Sequence, residues 1–354
     1  MPELLEFSDV DAALDHYLEH FSDGLPVLLP TERRVGELLA AVPQAPDHQL
    51  GSVPPRGTAL SVRDLAVNAA MAGCPPAAFP VALAAVTAAL ERPFNLNGIQ
   101  STTHSATPLI VVSGPAAARA GMNASFNAFG PHNRANATIG RTLRLVMANV
   151  GGGLPGTTDM SVQGTPAKYS FCVAENLEQS PWPSLAERQG YADARSSVTL
   201  MAAEGGHLVC DHRSAEPERL LENVADVMRA LGSLNSCRPG PMTLALCPQH
   251  ARIVAGAGWS IAQMQRFLFE RAANPLARVR GAGEFDRERT LGFAARYGDP
   301  DDPATRLPVL ESPESLIVCV VGAPTGGFST VVPSWTASRP VHRPIAPPRG
   351  KESR

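Results

Sequence analysis

Thr107-Pro108-Leu109-Ile110-Val111-Val112-Ser113 is an apolar, β-branched run with no polar alternation. That is the pattern of a strand buried on both faces. Working outward, Met242–Cys247 and Leu316–Val321 have the same character. Ser197–Ala202 and His207–Cys210 read as two shorter strands, separated by the turn Glu204-Gly205-Gly206. Helical patterns lie between them. Residues 8–20 are amphipathic, and Thr31 is placed to cap a helix running through Val42. Ser61 with Asp64, and Ser260 with Gln263, have capping-box spacing and open helices, the second reaching about Ala273. Pro80–Leu90, Thr138–Val150, Glu218–Leu231 and a segment from Gln249 are the other predicted helices. Pro43–Thr58 reads as a Pro/Gly-rich loop and Glu284–Pro308 as irregular chain.

Strands alternate with helices at α/β spacing without a strict βαβ rhythm. The expectation is therefore an α/β protein with a mixed sheet and helices on both faces. A chain of 354 residues can bury one large core. We read 1–354 as a single α/β unit, with two intimately packed lobes, about 1–195 and 196–345, as the other partition. The Pro/Arg-rich segment 341–354 reads as a flexible tail.

Hydrophobic residues make up 44% of the chain and charged residues 18%, which excludes general disorder. A net charge of -3 gives no electrostatic footprint for nucleic acid or an anionic membrane. No apolar run approaches the ~20 residues of a membrane span, and the acidic N-terminal stretch does not resemble a secretory signal. A cytoplasmic protein is expected. The six cysteines form no C-x-x-C pair, and most sit in apolar segments, so they read as buried free thiols.

The familiar phosphate-loop, nucleophile-elbow, zinc-protease and dinucleotide motifs are absent. Four polar clusters beside apolar elements remain. Asn97–His104 leads into the Thr107 strand with hydroxyls, an amide and the imidazole of His104, all needing partners that a ligand could supply. Asn123–Thr138 carries Arg134 and Asn136 just ahead of a helix, an arrangement suited to an anion. His207, Asp211 and His212 could ligate a divalent metal, joined by His104 or His250 from elsewhere. Alternatively, Asp211 could orient His212 as a general acid/base. On a strand, 207 and 211 share a face while 212 points away. Gly322–Ser329 follows a strand, and Gly326, Gly327 and Ser329 could meet a ligand there. Two further positions stand out. Cys74 lies at a helix boundary where a thiol could be activated, and His250 directly follows a strand.

The segments DGLPVLLPTERRV (23–35), VNAAMAGCPP (67–76), RANATIGRTLRLV (134–146), VCDHRS (209–214), CPQHARIVAGAGWS (247–260) and VVPSW (331–335) resemble a widespread bacterial family of poorly characterised proteins. Its members are often encoded beside small proteins with a U/C-G-S-C motif, related to the selenoprotein B type of glycine and betaine reductases. The resemblance spans about Asp23 to Pro344. It implies a partner protein with a reactive thiol or selenol and chemistry at a carbon–heteroatom bond. The matching positions are Cys74, Arg134, Asn136, Asp211, His212, His250 and Trp335. This chain has no U/C-G-S-C motif of its own; Gly232–Cys237 has the wrong spacing.

Together these readings predict an enzyme, of lyase or oxidoreductase type, or the substrate-binding subunit of one, for a small anionic metabolite. Arg134 and Asn136 hold the anion with His104, Gly326, Gly327 and Ser329 as further substrate contacts. Cys74, Asp211, His212 and His250 are the catalytic candidates. The alternatives are a metal-dependent enzyme built on His207, Asp211 and His212, and a non-catalytic partner or scaffold. A homo-oligomer is compatible with each.

Overall fold

The structure, a computed structural model, describes residues 5–191 and 195–346. The strands are β1 (Gln49–Val53), β2 (Thr58–Ser61), β3 (Thr107–Ser113), β4 (Cys172–Ala174), β5 (Ser197–Ala203), β6 (His207–Cys210), β7 (Met242–Leu246), β8 (Ala273–Pro275), β9 (Arg306–Pro308), β10 (Leu316–Val320), β11 (Phe328–Pro333) and β12 (Val341–Pro344). Eight of them form two four-stranded mixed sheets, ordered β12-β5-β3-β4 and β10-β7-β11-β6. Within these, β3–β4 and β7–β10 are parallel pairs and the other pairs are antiparallel. The α/β class with mixed strand directions follows directly.

Period-two side-chain alternation explains why the strand sequences are apolar throughout. In β3, Ile110 and Val112 pack with the Val62–Ala72, Phe79–Ala89 and Arg134–Asn149 helices. Leu109 and Val111 face the other way, into a core shared with Ile317, Cys319 and Val332 of the second sheet. In β10, Val318 and Val320 pack outward with the Pro217–Met228, Pro248–Gly256 and Ile261–Arg271 helices. The helices thus flank two sheets stacked face to face, giving four layers. Each fully buried Val, Leu or Ile contributes about 1.5–3 kcal/mol of burial free energy, and more of these residues lie between each sheet and its helices than between the two sheets.

Contacts at two ends tie the sheets together. Past β4, the Asn176 N–H donates to Val320 O at 2.7 Å, and its side-chain amide reaches Gly322 O. At the opposite end, Ala203 pairs with Ser334, and the Glu204 N–H donates to Pro333 O. The C-terminal ends of β3, β4, β7 and β10 therefore lie at one end of the molecule. The first sheet draws strands from both sides of residue 195.

Several local readings change. The Pro/Gly-rich stretch after Pro43 contains the β1–β2 hairpin, and the region after Glu284 contains the Arg287–Ala294 helix and β9. The tail expected from 341 begins as β12, paired with β5; residues 347–354 lie outside the described residues. The helix expected from Thr138 begins at Arg134, one turn earlier. Among the described residues, no single helix is long and apolar enough to cross a membrane.

Candidate functional site

At the end where β7 finishes, the chain turns through Cys247 into the Pro248–Gly256 helix. Cys247 is the N-cap, Pro248 the first helical residue, and His250 lies in the first turn. Proline suits that first position because its missing N–H has no intrahelical partner there. The spacing brings the His250 imidazole beside the Cys247 sulphur. β11 delivers Ser329 to the same place: its Oγ accepts the Cys247 N–H at 2.9 Å and lies 2.7 Å from His250 Nδ1. His250 Nε2 donates to the backbone carbonyl of Asp211, 2.8 Å away, at the end of β6. Three strand ends thus converge on one imidazole.

Ionisation of the pair follows from this geometry. Burial pushes the Cys247 thiol up, but hydrogen bonds from the His250 imidazole and backbone, the imidazole charge and the Ser329 hydroxyl bring it below the ordinary cysteine value. Burial pushes His250 down, yet the Cys247 sulphur, the Asp211 carbonyl and the charges of Cys247 and Asp211 raise it above the ordinary histidine value. These opposite shifts favour a thiolate–imidazolium pair. The position of Cys247 at a helix N-terminus adds to the same effect.

Gly327 completes the enclosure. Its N–H donates to His212 Nδ1 at 3.2 Å, and its carbonyl accepts the Asp211 N–H. A Cβ at this position would collide with the Asp211 carbonyl oxygen and crowd His250 Nε2. Only glycine lets the 322–327 loop approach so closely. His212 is exposed and packs edge-on against Phe328 with ring centroids 4.7 Å apart.

Asp211 has a different role from the expected orienter of His212. Its carboxylate accepts from the backbone N–H groups of Arg213 and Ser214, the Ser214 hydroxyl and the Asn223 amide. Burial opposes ionisation, but these four donors hold the carboxyl well below the usual range. It is the backbone carbonyl of Asp211 that orients an imidazole, and the imidazole is that of His250.

The metal set does not assemble. His207 opens β6 and Asp211 follows its other end, so the two lie roughly 13 Å apart at ~3.3 Å per residue. The carboxylate of Asp211 is already engaged. Among the described residues, no group of three His, Cys, Asp or Glu is placed to hold a metal ion. His104 lies at the far end of the sheets, with Nε2 3.1 Å from Glu204 Oε1, and joins no ligand set.

Cys74 and Arg134 meet elsewhere, outside the first sheet, where the Val62–Ala72 helix ends at Gly73. Arg134 donates from Nε and Nη2 to Gly73 O. Cys74 is buried, and its thiol is pushed up to about 12 by desolvation, outweighing help from Thr138, Thr142 and Arg134. It is therefore a protonated packing residue at neutral pH, not an activated nucleophile. Asn136 is buried with its amide spent on the 123–133 loop: Oδ1 accepts the Asn123 N–H, and Nδ2 donates to Asn123 O and Ala128 O. It shapes the loop rather than facing a cavity. Trp335 packs against the first helical core. Gly326 has a left-handed φ of 83°, and a Cβ there would touch the Phe328 ring.

The structure therefore joins Asp211, His212, His250, Gly327 and Ser329, and separates them from Cys74, Arg134, Asn136, His104 and His207. Cys247 is the member that the sequence reading grouped with inert thiols. The available signal was a cysteine directly before a helix-opening proline, with a histidine three residues on. Compared with protein-family models, curated proteins and solved structures, the chain finds no match.

Proposed function

We propose that the protein is a thiol-dependent enzyme acting at a carbon–heteroatom bond of a small substrate, with Cys247 as nucleophile and His250 as its proton partner. The observation that carries this reading is the Cys247–His250–Ser329 cluster, where burial alone would suppress the thiolate and the surrounding groups reverse it. A paired cysteine and histidine, with the histidine held by a third group, is the arrangement that nucleophilic catalysis uses.

In this account the Cys247 thiolate attacks an electrophilic carbon. A sulphur–carbon bond forms, the bond from that carbon to its heteroatom breaks, and the His250 proton passes to the leaving heteroatom. Ser329 keeps the imidazole aligned, and its hydroxyl can donate to the thiolate. His212, exposed at the rim with Nδ1 occupied by Gly327, presents Nε2–H outward and serves as a substrate contact.

The test is intact-protein mass spectrometry after incubation with small activated esters, thioesters and alkyl electrophiles. An adduct that maps to Cys247, disappears in Cys247→Ser and persists in Cys74→Ser supports the reading. Adducts that spare Cys247 while other cysteines react oppose it.

A further inference from the structure

Between the Glu32–Leu39 helix, the end of the Val62–Ala72 helix and the start of the Arg134–Asn149 helix is a cavity of about 100 Å³, lined in part by Arg33, Arg34, Glu37, Gly73, Cys74 and Arg134. Three guanidinium groups meet one carboxylate there. Arg33 pairs with Glu37 at 2.6 Å. Arg34 and Arg134 have no carboxylate partner among the described residues; each is anchored on a backbone carbonyl instead. Arg34 donates from Nη1 to Leu29 O at 2.8 Å, and Arg134 donates twice to Gly73 O.

Neutral carbonyl anchors fix the two forks without cancelling their charge, and most of their N–H donors stay unspent. The side-chain ordering that a flexible arginine loses on binding is thereby partly met in advance. Cys74 forms a neutral wall, because its thiol stays protonated far above neutral pH, so it does not repel an incoming anion. The volume equals roughly three waters at about 30 Å³ each, which suits one phosphate or carboxylate group with the rest of its molecule outside.

We propose that this cavity binds the terminal phosphate or carboxylate group of a small metabolite through Arg34 and Arg134. The site is distinct from Cys247 and stands independently of the thiol reading. The 123–133 loop touches the surroundings of both: its Asn123 N–H donates to Asn136, two residues past Arg134, and its Ala124 carbonyl accepts the Gly322 N–H. That loop is the physical connection between the anion cavity and the 322–327 loop at the thiol.

The experiment is calorimetric titration of the full chain with inorganic phosphate and, separately, succinate, at ionic strength matched with sodium chloride. Wild type should bind at least one of them saturably. Arg34→Gln should weaken that binding about tenfold or more, the loss of one charge-assisted fork, while melting near the wild-type temperature in chloride. Arg134→Lys keeps the charge and a carbonyl donor but not the fork, and should bind several-fold more weakly. No saturable binding of either anion, or equal affinity in wild type and Arg34→Gln, overturns the proposal. Iodoacetamide labelling of Cys247 is read in parallel, so failure at one site is not mistaken for failure at the other.

Discussion

His250 Nε2 donates a hydrogen bond to the backbone carbonyl of Asp211 at 2.8 Å, joining the first turn of a helix to the end of a strand 39 residues earlier. A carbonyl can only accept, so Nε2 carries the proton and Nδ1 is left for Ser329 and the Cys247 sulphur. A backbone group thus fixes the tautomer, and substituting the Asp211 side chain alone would not remove it.

Ser329 holds two groups at once, the Cys247 N–H and His250 Nδ1. Ser329→Ala leaves both without their partner in a buried setting and should cost about 1–3 kcal/mol. Urea unfolding would show the lower midpoint. The Cys247 alkylation rate near neutral pH should fall in the same variant, because the thiolate loses a donor.

Gly327→Ala places a Cβ against the Asp211 carbonyl and His250 Nε2. The backbone must move to accommodate it, at about 1–3 kcal/mol, and the imidazole loses its anchor. Gly256→Ala is the control, since a Cβ there meets open space. A thermal melt should separate the two, with Gly327→Ala lower and Gly256→Ala near wild type.

Acid should loosen the edge of the first sheet through His342 on β12. Its Nδ1 lies 2.7 Å from Gln189 Nε2 and 2.9 Å from Thr199 Oγ1, and burial lowers its pKa below the ordinary 6.5. The unfolded chain takes up this proton before the folded one. The stabilisation is therefore complete above pH 6.5 and is lost as pH falls through the folded value. His342→Gln should flatten this limb of a stability–pH curve measured by urea unfolding. An unchanged limb would place the acid sensitivity elsewhere.

His250 has the opposite sign. Its raised pKa gives stabilisation that is present below its unfolded value and lost as pH rises through the folded one. Cys247, lowered, contributes above its own unfolded value of about 9 and loses that contribution as pH falls through its folded pKa. The two are coupled, so Cys247→Ser should lower the pH at which His250 loses its proton. Histidine ring signals in an NMR titration would report that shift.

Much of this fold is legible in the chain because its strands and caps are local signals. Thr107–Ser113 appears as the strand its apolar run predicts, and both the Ser61–Asp64 and Ser260–Gln263 capping boxes form. The stacking of two sheets is not legible, because a strand buried against helices on one face and a second sheet on the other has the same continuous apolar sequence as one buried between helices. β1, β2 and β11 are masked by neighbouring Pro and Gly, which mark turns equally well inside a hairpin and inside a loop. In the site, Asp211, His250, Gly327 and Ser329 each stand out locally, but their convergence depends on the β6–β11–β7 order. Cys247 looks like its buried neighbours Leu244 and Leu246; only the pairing of strand ends gives its sulphur an imidazole. Cys74 shows the reverse case, a helix-boundary thiol whose surroundings are too dry to ionise it.

The most direct test of the Cys247 account is site-resolved alkylation by iodoacetamide across pH, read by peptide mass spectrometry on native and urea-unfolded protein. The account predicts a native Cys247 midpoint below its unfolded midpoint, with Cys74 unreactive through neutral pH and exposed Cys210 confirming that reagent is active. A native Cys247 midpoint equal to or above the unfolded one would contradict the thiolate–imidazolium pair and, with it, the proposed chemistry.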